Sequence, residues 1–217
     1  MLAFNQQGRV RVKICGITDF NDAQMAVDFG ADALGFNGFR GSKRYLELAH
    51  AADWISGLPQ FVSRVAVLVN PTMAEINQIL ELGCFDTIQL HGHETPSFCC
   101  EVAKSKVRLI KAVAVQETSD LAEIETFSTR TILLDTFKKG AFGGTGETFN
   151  WKLAKAVRER FPNIALVLSG GLQAQNVAEA IASVQPYAVD VASGVECPGN
   201  PRKKSAERLR AFFQNIR

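Results

Sequence analysis

Val10-Arg-Val-Lys-Ile-Cys-Gly-Ile-Thr18 opens the regular pattern of the chain. Val10, Val12 and Ile14 are β-branched and recur with a period of two, which predicts a strand with one face buried. The strand stops at Cys15-Gly16. A helical pattern follows from about Phe20, capped by Asp19 or Asn21 and closed at Gly30. Strand, short loop, amphipathic helix is therefore the unit to follow outward.

The unit recurs to the end of the sequence. Apolar strands are expected at 31–36, 63–70, 87–90, 107–115, 131–135, 164–168 and 188–192. Helices are expected at 45–56, from Pro71 to near Gly83, and at 95–104, 118–127, 150–161, 175–184 and 204–216. Continuous apolar strands alternating with amphipathic helices imply a parallel sheet covered by helices. Eight such units of even strand length favour closure into a (β/α)8 TIM barrel, with a doubly wound open sheet as the alternative. No linker or low-complexity run divides the chain, so residues 1–217 read as a single domain behind a short lead-in over residues 1–8.

Bulk properties exclude several function classes. The chain has 217 residues, 47% hydrophobic and 21% charged, with a net charge of +2. That is ordinary globular composition, sufficient for one full core. A nucleic-acid partner calls for a clustered basic stripe. The one basic cluster, Arg202-Lys-Lys204, reads instead as a solvated start to the last helix. Five cysteines, an odd number without Cys-x-x-Cys spacing, give neither a disulfide framework nor a metal site. Without a signal peptide or an apolar run near membrane length, the expectation is a reduced, cytoplasmic protein with no membrane partner. A monomer or a homodimer is expected.

A barrel places its chemistry at the carboxyl ends of its strands. Cys15 ends the first strand, His91 the fourth and Asp135 the sixth. Ser169-Gly-Gly171 follows the seventh, and the eighth carries Asp190 and ends in Ser193-Gly194. Arg40, Lys43 and Arg44 lie in the loop after the second. The two glycine loops allow backbone N–H groups to approach an anion closely, so Gly170, Gly171, Ser193 and Gly194 are candidates for holding a phosphate. The plainer reading is that each glycine only permits a tight turn. Cys15 and Asp135 suggest a base and an acid. A free cysteine is more often a small buried hydrophobe. A thiol with an unperturbed pKa of about 8.5 must be lowered to act as thiolate near neutrality. Lys13, on the face opposite Ile14, supplies part of that drop or simply pairs with an interior carboxylate. Asp135 needs a raised pKa to keep a proton to donate; the alternative is a loop cap. His91 either lines the site or supports it. Arg44 is a fork for a carboxylate or phosphate, or a solvated loop charge. The glycine-rich stretch at 140–146 reads as a lid or a plain connection. His50 and His93 read as surface residues.

The ordered set of motifs is similar to the phosphoribosylanthranilate isomerase family of tryptophan biosynthesis. The matching stretches are Lys13-Ile-Cys-Gly-Ile-Thr18, Gly30-Ala-Asp-Ala-Leu-Gly-Phe36, Ser42-Lys-Arg-Tyr45, Gln89-Leu-His-Gly92, Leu133-Leu-Asp-Thr136, Gly143-Gly-Thr-Gly146 with Phe149 and Trp151, Leu168-Ser-Gly-Gly-Leu172 and Val189-Asp-Val-Ala-Ser-Gly-Val-Glu196. The resemblance covers nearly the whole chain. It implies a (β/α)8 barrel and a cofactor-free Amadori rearrangement, an aldose–ketose isomerisation, of N-(5-phosphoribosyl)anthranilate. It also implies that Asp135 is the general acid, Cys15 the general base, and Arg44 a contact to the anthranilate moiety, with the phosphate on the Gly170-Gly171 and Ser193-Gly194 loops. His91 and Asp190 complete the expected substrate contacts, and no metal is expected.

Three stretches depart from the family pattern. Asn37-Gly-Phe-Arg-Gly41 replaces an aromatic followed by Pro-Lys. Asn150 replaces an aspartate, and Cys197-Pro-Gly-Asn-Pro-Arg202 is short, with a change of rim expected there. Competing expectations are another sugar-phosphate barrel, such as a pentose-phosphate epimerase or a bifunctional histidine/tryptophan isomerase, and a non-catalytic binder of phosphorylated ligands. Cys15 on the first strand argues against the bifunctional type, which uses paired aspartates. Retention of both Cys15 and Asp135 argues against the binder.

Overall fold

The computed structural model describes residues 9–115, 121–135 and 150–216. Eight parallel strands close on themselves in chain order. They are β1 (Arg11–Cys15), β2 (Ala33–Asn37), β3 (Ser63–Leu68), β4 (Thr87–Leu90), β5 (Arg108–Ala114), β6 (Thr131–Asp135), β7 (Ala165–Leu168) and β8 (Ala188–Val191). The helices are α1 (Phe20–Phe29), α2 (Leu48–Ser56), α3 (Met73–Glu81), α4 (Pro96–Lys104), α5 (Leu121–Thr126), α6 (Trp151–Arg160), α7 (Val177–Val184) and α8 (Ala206–Gln214). Pairing of β1 with β8, in the register Val12 to Val189 and Lys13 to Asp190, decides for the closed barrel over the open sheet.

Strand alternation sorts side chains into two layers. Ile14, Leu34, Phe36, Ile88, Leu90, Ile132 and Leu168 face the helices in one large apolar core. Inside the barrel a small cluster of Ala112, Leu133, Val167 and Ala188 is flanked by Ile110 and Tyr187. Because Ile14 faces the helices, Lys13 and Cys15 must face the barrel interior.

The element ends follow local chemistry. Asp19 accepts a hydrogen bond from Asp22 N–H to start α1, and Gly30 ends it at φ 107°. Pro71 does not open α3 as expected: Thr72 is the cap, in a reciprocal capping box with Glu75. Tyr45 stays out of α2 because it bridges to Asn37, whose carbonyl also accepts from Leu46 N–H. Thr95, Asn150 and Ser205 cap α4, α6 and α8 through their side chains. The Ser205 cap starts α8 at Ala206, two residues later than the expected start at about 204. The preceding residues form an antiparallel hairpin, β9 (Glu196–Cys197) with β10 (Asn200–Lys204). Lys204 is thus no solvated helix start: it ends β10 with only 4% of its surface exposed. The glycine-rich stretch expected as a lid and the lead-in over residues 1–8 lie outside the described residues. No described helix is long and apolar enough to cross a membrane.

At the amino-terminal end of the barrel one carboxylate ties three strands together. Asp86 accepts from Ser63 Oγ at 2.6 Å, Arg64 N–H at 2.9 Å, Thr87 Oγ1 at 2.7 Å and Arg108 Nη2 at 2.5 Å. Burial works to raise its pKa, but these donors outweigh it and hold the carboxyl below its ordinary value. A group depressed in the folded state stabilises above the unfolded pKa, and that stabilisation disappears as pH falls through the folded one. Asp86→Asn is therefore expected to lose about 1–3 kcal/mol at pH 7. Denaturant titrations at a series of pH values check this, and the gap to the wild-type chain should narrow as pH falls below the ordinary aspartate value of about 3.9.

Candidate active site

Cys15 is the last residue of β1, and two glycines make its place possible. A Cβ on Gly35, in the neighbouring strand, would lie 2.8 Å from Cys15 Sγ and 3.0 Å from Lys13 Nζ. Gly16 follows at φ 75°, and a Cβ there would strike Arg44 Cδ at 2.3 Å. Only a bare backbone at these positions lets the sulfur, the ammonium and the guanidinium crowd around one strand end.

Lys13 Nζ donates to Asp190 Oδ1 at 2.8 Å across the closing seam, and both side chains are buried. Burial works against the ammonium, yet Asp190 and Cys15 outweigh it and hold the Lys13 pKa above its usual value. Both readings of Lys13 thus describe one arrangement, an interior lysine that pairs with a carboxylate and lies against Cys15. For Cys15 the balance differs. Burial pushes the thiol up, and Lys13 and Lys204 oppose it without reversing it. The depressed thiol anticipated from the sequence does not occur, because the barrel interior withdraws more solvation than the neighbouring cations return.

Arg44 is not a solvated loop charge. Its Nε and Nη2 donate to the two oxygens of Glu196 at 2.5 and 3.0 Å. Burial works against the guanidinium, but Glu196 outweighs it and raises the Arg44 pKa. Glu196 also accepts from Lys204 Nζ at 3.1 Å, and the same ammonium donates to the carbonyl of Cys15 at 2.7 Å. Burial lowers the Lys204 pKa against the pull of Glu196. The looser loop after β2 is held by its own polar groups. Asn37 Nδ2 donates to Ser42 Oγ, Asn37 Oδ1 accepts from Phe39 N–H, and Ser42 Oγ accepts from Arg44 N–H.

On the opposite wall, His91 Nε2 lies 3.2 Å from Asp135 Oδ2, and His91 Nδ1 lies 2.8 Å from Gln89 Nε2. The turn after His91 is fixed from below by Glu94, which accepts from Gly92 N–H, Asn70 N–H and the buried Lys111 Nζ. After β7, Gly170 and Gly171 adopt φ 89° and 65°, and their N–H groups donate to no backbone acceptor among the described residues.

These groups surround one cavity of about 920 Å³ at the carboxyl end of the barrel, lined by Cys15, Arg44, His91, Asp135, Gly170 and Ser193 among others. Gly171 and Asp190 also line it. Gly194 does not: it packs against the β7 loop, where a Cβ would lie 2.0 Å from the Leu172 carbonyl oxygen. Arg40 turns away to Glu47 at the surface, and His50 and His93 are exposed. Among the described residues no group of three His, Cys, Asp or Glu side chains is placed to hold a metal ion. Sequence reasoning assigned no role to Gln89, Glu196 or Lys204. The first two stood inside recognised motifs; Lys204 carried no signal beyond a charge that usually means exposure.

Comparison with known proteins adds the following. A sequence model of the family described as N-(5'phosphoribosyl)anthranilate (PRA) isomerase matches residues 12–215. The N-(5'-phosphoribosyl)anthranilate isomerase of Geobacter metallireducens is 44% identical over 208 residues, covering 96% of this chain and 99% of the relative. The crystal structure of phosphoribosyl anthranilate isomerase from Thermotoga maritima is 41% identical, with a TM-score of 0.85 over 95% of this chain and 98% of that one. A second structure of the isomerase, in complex with reduced 1-(o-carboxyphenylamino)-1-deoxyribulose 5-phosphate, is 40% identical with a TM-score of 0.82 and the same coverage.

The charge balance around Cys15 can be read directly. Alkylation of Cys15 by iodoacetamide, followed by mass spectrometry across pH, is expected to show a midpoint above about 8.5. Lys13→Met should move that midpoint higher, because it removes the strongest opposing charge. A wild-type midpoint at or below the ordinary thiol value would contradict this account.

Proposed function

The chain belongs to the N-(5'-phosphoribosyl)anthranilate isomerase family, and from that footing we propose how its residues divide the work. The reaction is the rearrangement of N-(5'-phosphoribosyl)anthranilate to 1-(o-carboxyphenylamino)-1-deoxyribulose 5-phosphate, a step of tryptophan biosynthesis. In class it is an intramolecular oxidoreduction, aldose to ketose. One observation carries the division of labour: Cys15 and Asp135 open onto the same cavity, with the N–H groups of Gly170 and Gly171, which have no backbone acceptor among the described residues, on its rim.

Asp135 is the general acid. It protonates the ribose ring oxygen as the bond from that oxygen to C1 breaks, and the nitrogen lone pair closes the C1–N double bond of the Schiff base. Cys15 is the general base through its thiolate form, a minor fraction near neutrality because burial holds the thiol above its ordinary value. It takes the proton from C2, and that electron pair forms the C1–C2 double bond of the enolamine while the nitrogen becomes neutral. Tautomerisation then removes the proton of the C2 hydroxyl, whose electron pair forms the C2 ketone, while the C1–C2 pair takes up a proton at C1. Two protons enter, at the ring oxygen and at C1, and two leave, from C2 and its hydroxyl, so the steps themselves call on no cofactor.

The phosphate is held at Gly170, Gly171 and Ser193, with Gly194 bringing the β8 loop against the β7 loop. Bare N–H groups in left-handed glycines suit an anion. Arg44 takes the anthranilate carboxylate: Glu196 holds the Nε edge of the guanidinium, which leaves the Nη1 edge for the substrate. Lys13 and Asp190 form the charged floor beneath Cys15. The cavity suits a small phosphorylated molecule rather than a nucleic acid or a membrane. All five cysteines are free, in keeping with a single-domain cytoplasmic enzyme acting as a monomer or homodimer.

The anthranilate fluorescence of the substrate is expected to decay on addition of micromolar protein, and no decay would remove the assignment. Cys15→Ala and Asp135→Asn should each lose about 10²-fold or more in kcat with unchanged circular dichroism. Turnover like that of the wild-type chain in either variant would remove the role given to that residue.

A further inference from the structure

Gln89 is fully buried in the barrel wall, between Ile88 and Leu90, which face the helices. Its amide touches one polar partner, Nδ1 of His91, through Nε2 at 2.8 Å. The other end of the amide, Oε1, is buried with no hydrogen-bond partner among the described residues. A buried acceptor left unpaired is destabilising, and a methionine of similar shape would avoid it. Packing therefore does not account for a glutamine here.

The far side of the imidazole supplies the reason. His91 Nε2 lies 3.2 Å from Asp135 Oδ2, so Gln89, His91 and Asp135 form a line from the barrel wall to the cavity. An amide nitrogen only donates, so Nδ1 of His91 must accept. A neutral imidazole whose Nδ1 accepts carries its proton on Nε2, and that N–H points at Asp135. We propose that Gln89 is a positioning residue: acting through His91, it fixes the Nε2–H tautomer and so keeps a hydrogen-bond donor aimed at Oδ2 of Asp135.

The proposal rests on Asp135 being the general acid. With His91 donating to Oδ2, the transferable proton of Asp135 is carried on Oδ1. When that proton moves to the ring oxygen, the new carboxylate charge meets an N–H already in place, without reorganisation. The bond becomes charge-assisted at that moment and strengthens. In the opposite tautomer a lone pair on Nε2 would face the same oxygen. It would compete with the substrate for the acid's proton and then repel the carboxylate. The unpaired Oε1 is what remains of an amide retained for its single donor.

The test pairs Gln89→Met with ring-nitrogen NMR of protein labelled with ¹⁵N in histidine, recorded near pH 8 where imidazole is neutral. The His91 signals are assigned by their loss in His91→Asn. The expected result is the Nε2–H tautomer in the wild-type chain and a shift towards Nδ1–H in Gln89→Met. The variant should keep or raise its Tm, lose about tenfold in kcat, and leave KM within about twofold. An Nδ1–H tautomer in the wild-type chain overturns the proposal, as does a Gln89→Met variant with unchanged tautomer or unchanged kcat. A purely structural Gln89 would lower Tm on substitution and leave the tautomer alone. The wild-type spectrum decides even if the variant does not fold, and it needs no substrate. Failure of the isomerase assignment in the fluorescence assay is therefore distinguishable from failure of the tautomer argument.

Discussion

The seam between β1 and β8 is the contact on which the rest of the molecule depends. Residues 177 positions apart meet there as Lys13 and Asp190, 2.8 Å apart and almost without exposure. Removing one member of such a pair leaves a buried charge uncompensated, which typically costs about 3–5 kcal/mol. An apolar pair of the same volume would close the barrel as well or better. What the ions add is chemical: they set a charged floor directly beneath the Cys15 sulfur, at the point where the first and last strands become neighbours.

A second buried charge group sits above that floor and is built from three distant stretches. Glu196 stands between Arg44 and Lys204, and Lys204 reaches the carbonyl of Cys15. The loop after β2, the end of β1 and the β9–β10 hairpin are thereby locked to one another. The short segment after Glu196, a departure from the family pattern, changes the rim as anticipated in kind but not in means. It folds back as a hairpin and delivers a buried lysine. Arg44 keeps one edge of its guanidinium occupied by protein and the other available, so its direction is set before any substrate arrives.

The two ends of the barrel divide stability from chemistry. Asp86 and its four donors sit at the amino-terminal end, where they join β3, β4 and β5. The carboxyl end instead carries an unpaired glutamine oxygen, a thiol raised by burial and glycines in left-handed conformations. The unpaired oxygen is unfavourable for folding, while the neutral thiol and the glycines cost the fold little and suit the handling of a proton or an anion. Between the two ends the interior is filled by small and branched apolar side chains, so the cavity has a solid base rather than a pore.

The sequence by itself determined the order of strands and helices and the strand-end positions of Cys15, His91 and Asp135, and it favoured a barrel whose closure the pairing of β1 with β8 decided. These follow from periodicity and from turn and cap residues, which act over a few positions along the chain. It also singled out Arg44 and the Gly170-Gly171 loop as candidates, without saying what held them. Only the tertiary structure decided that Lys204 is buried, that Glu196 holds Arg44, that Gly194 packs between loops instead of lining the cavity, and that Gln89 meets His91 with half of its amide unpaired. The reason is physical. A charged or amide side chain is polar in any sequence, and whether it is solvated or enclosed depends on partners up to 189 residues away, as Lys204 and Cys15 are. The same distance effect reversed the expected shift of the Cys15 thiol, because desolvation is a property of the closed barrel and not of the strand that carries the sulfur.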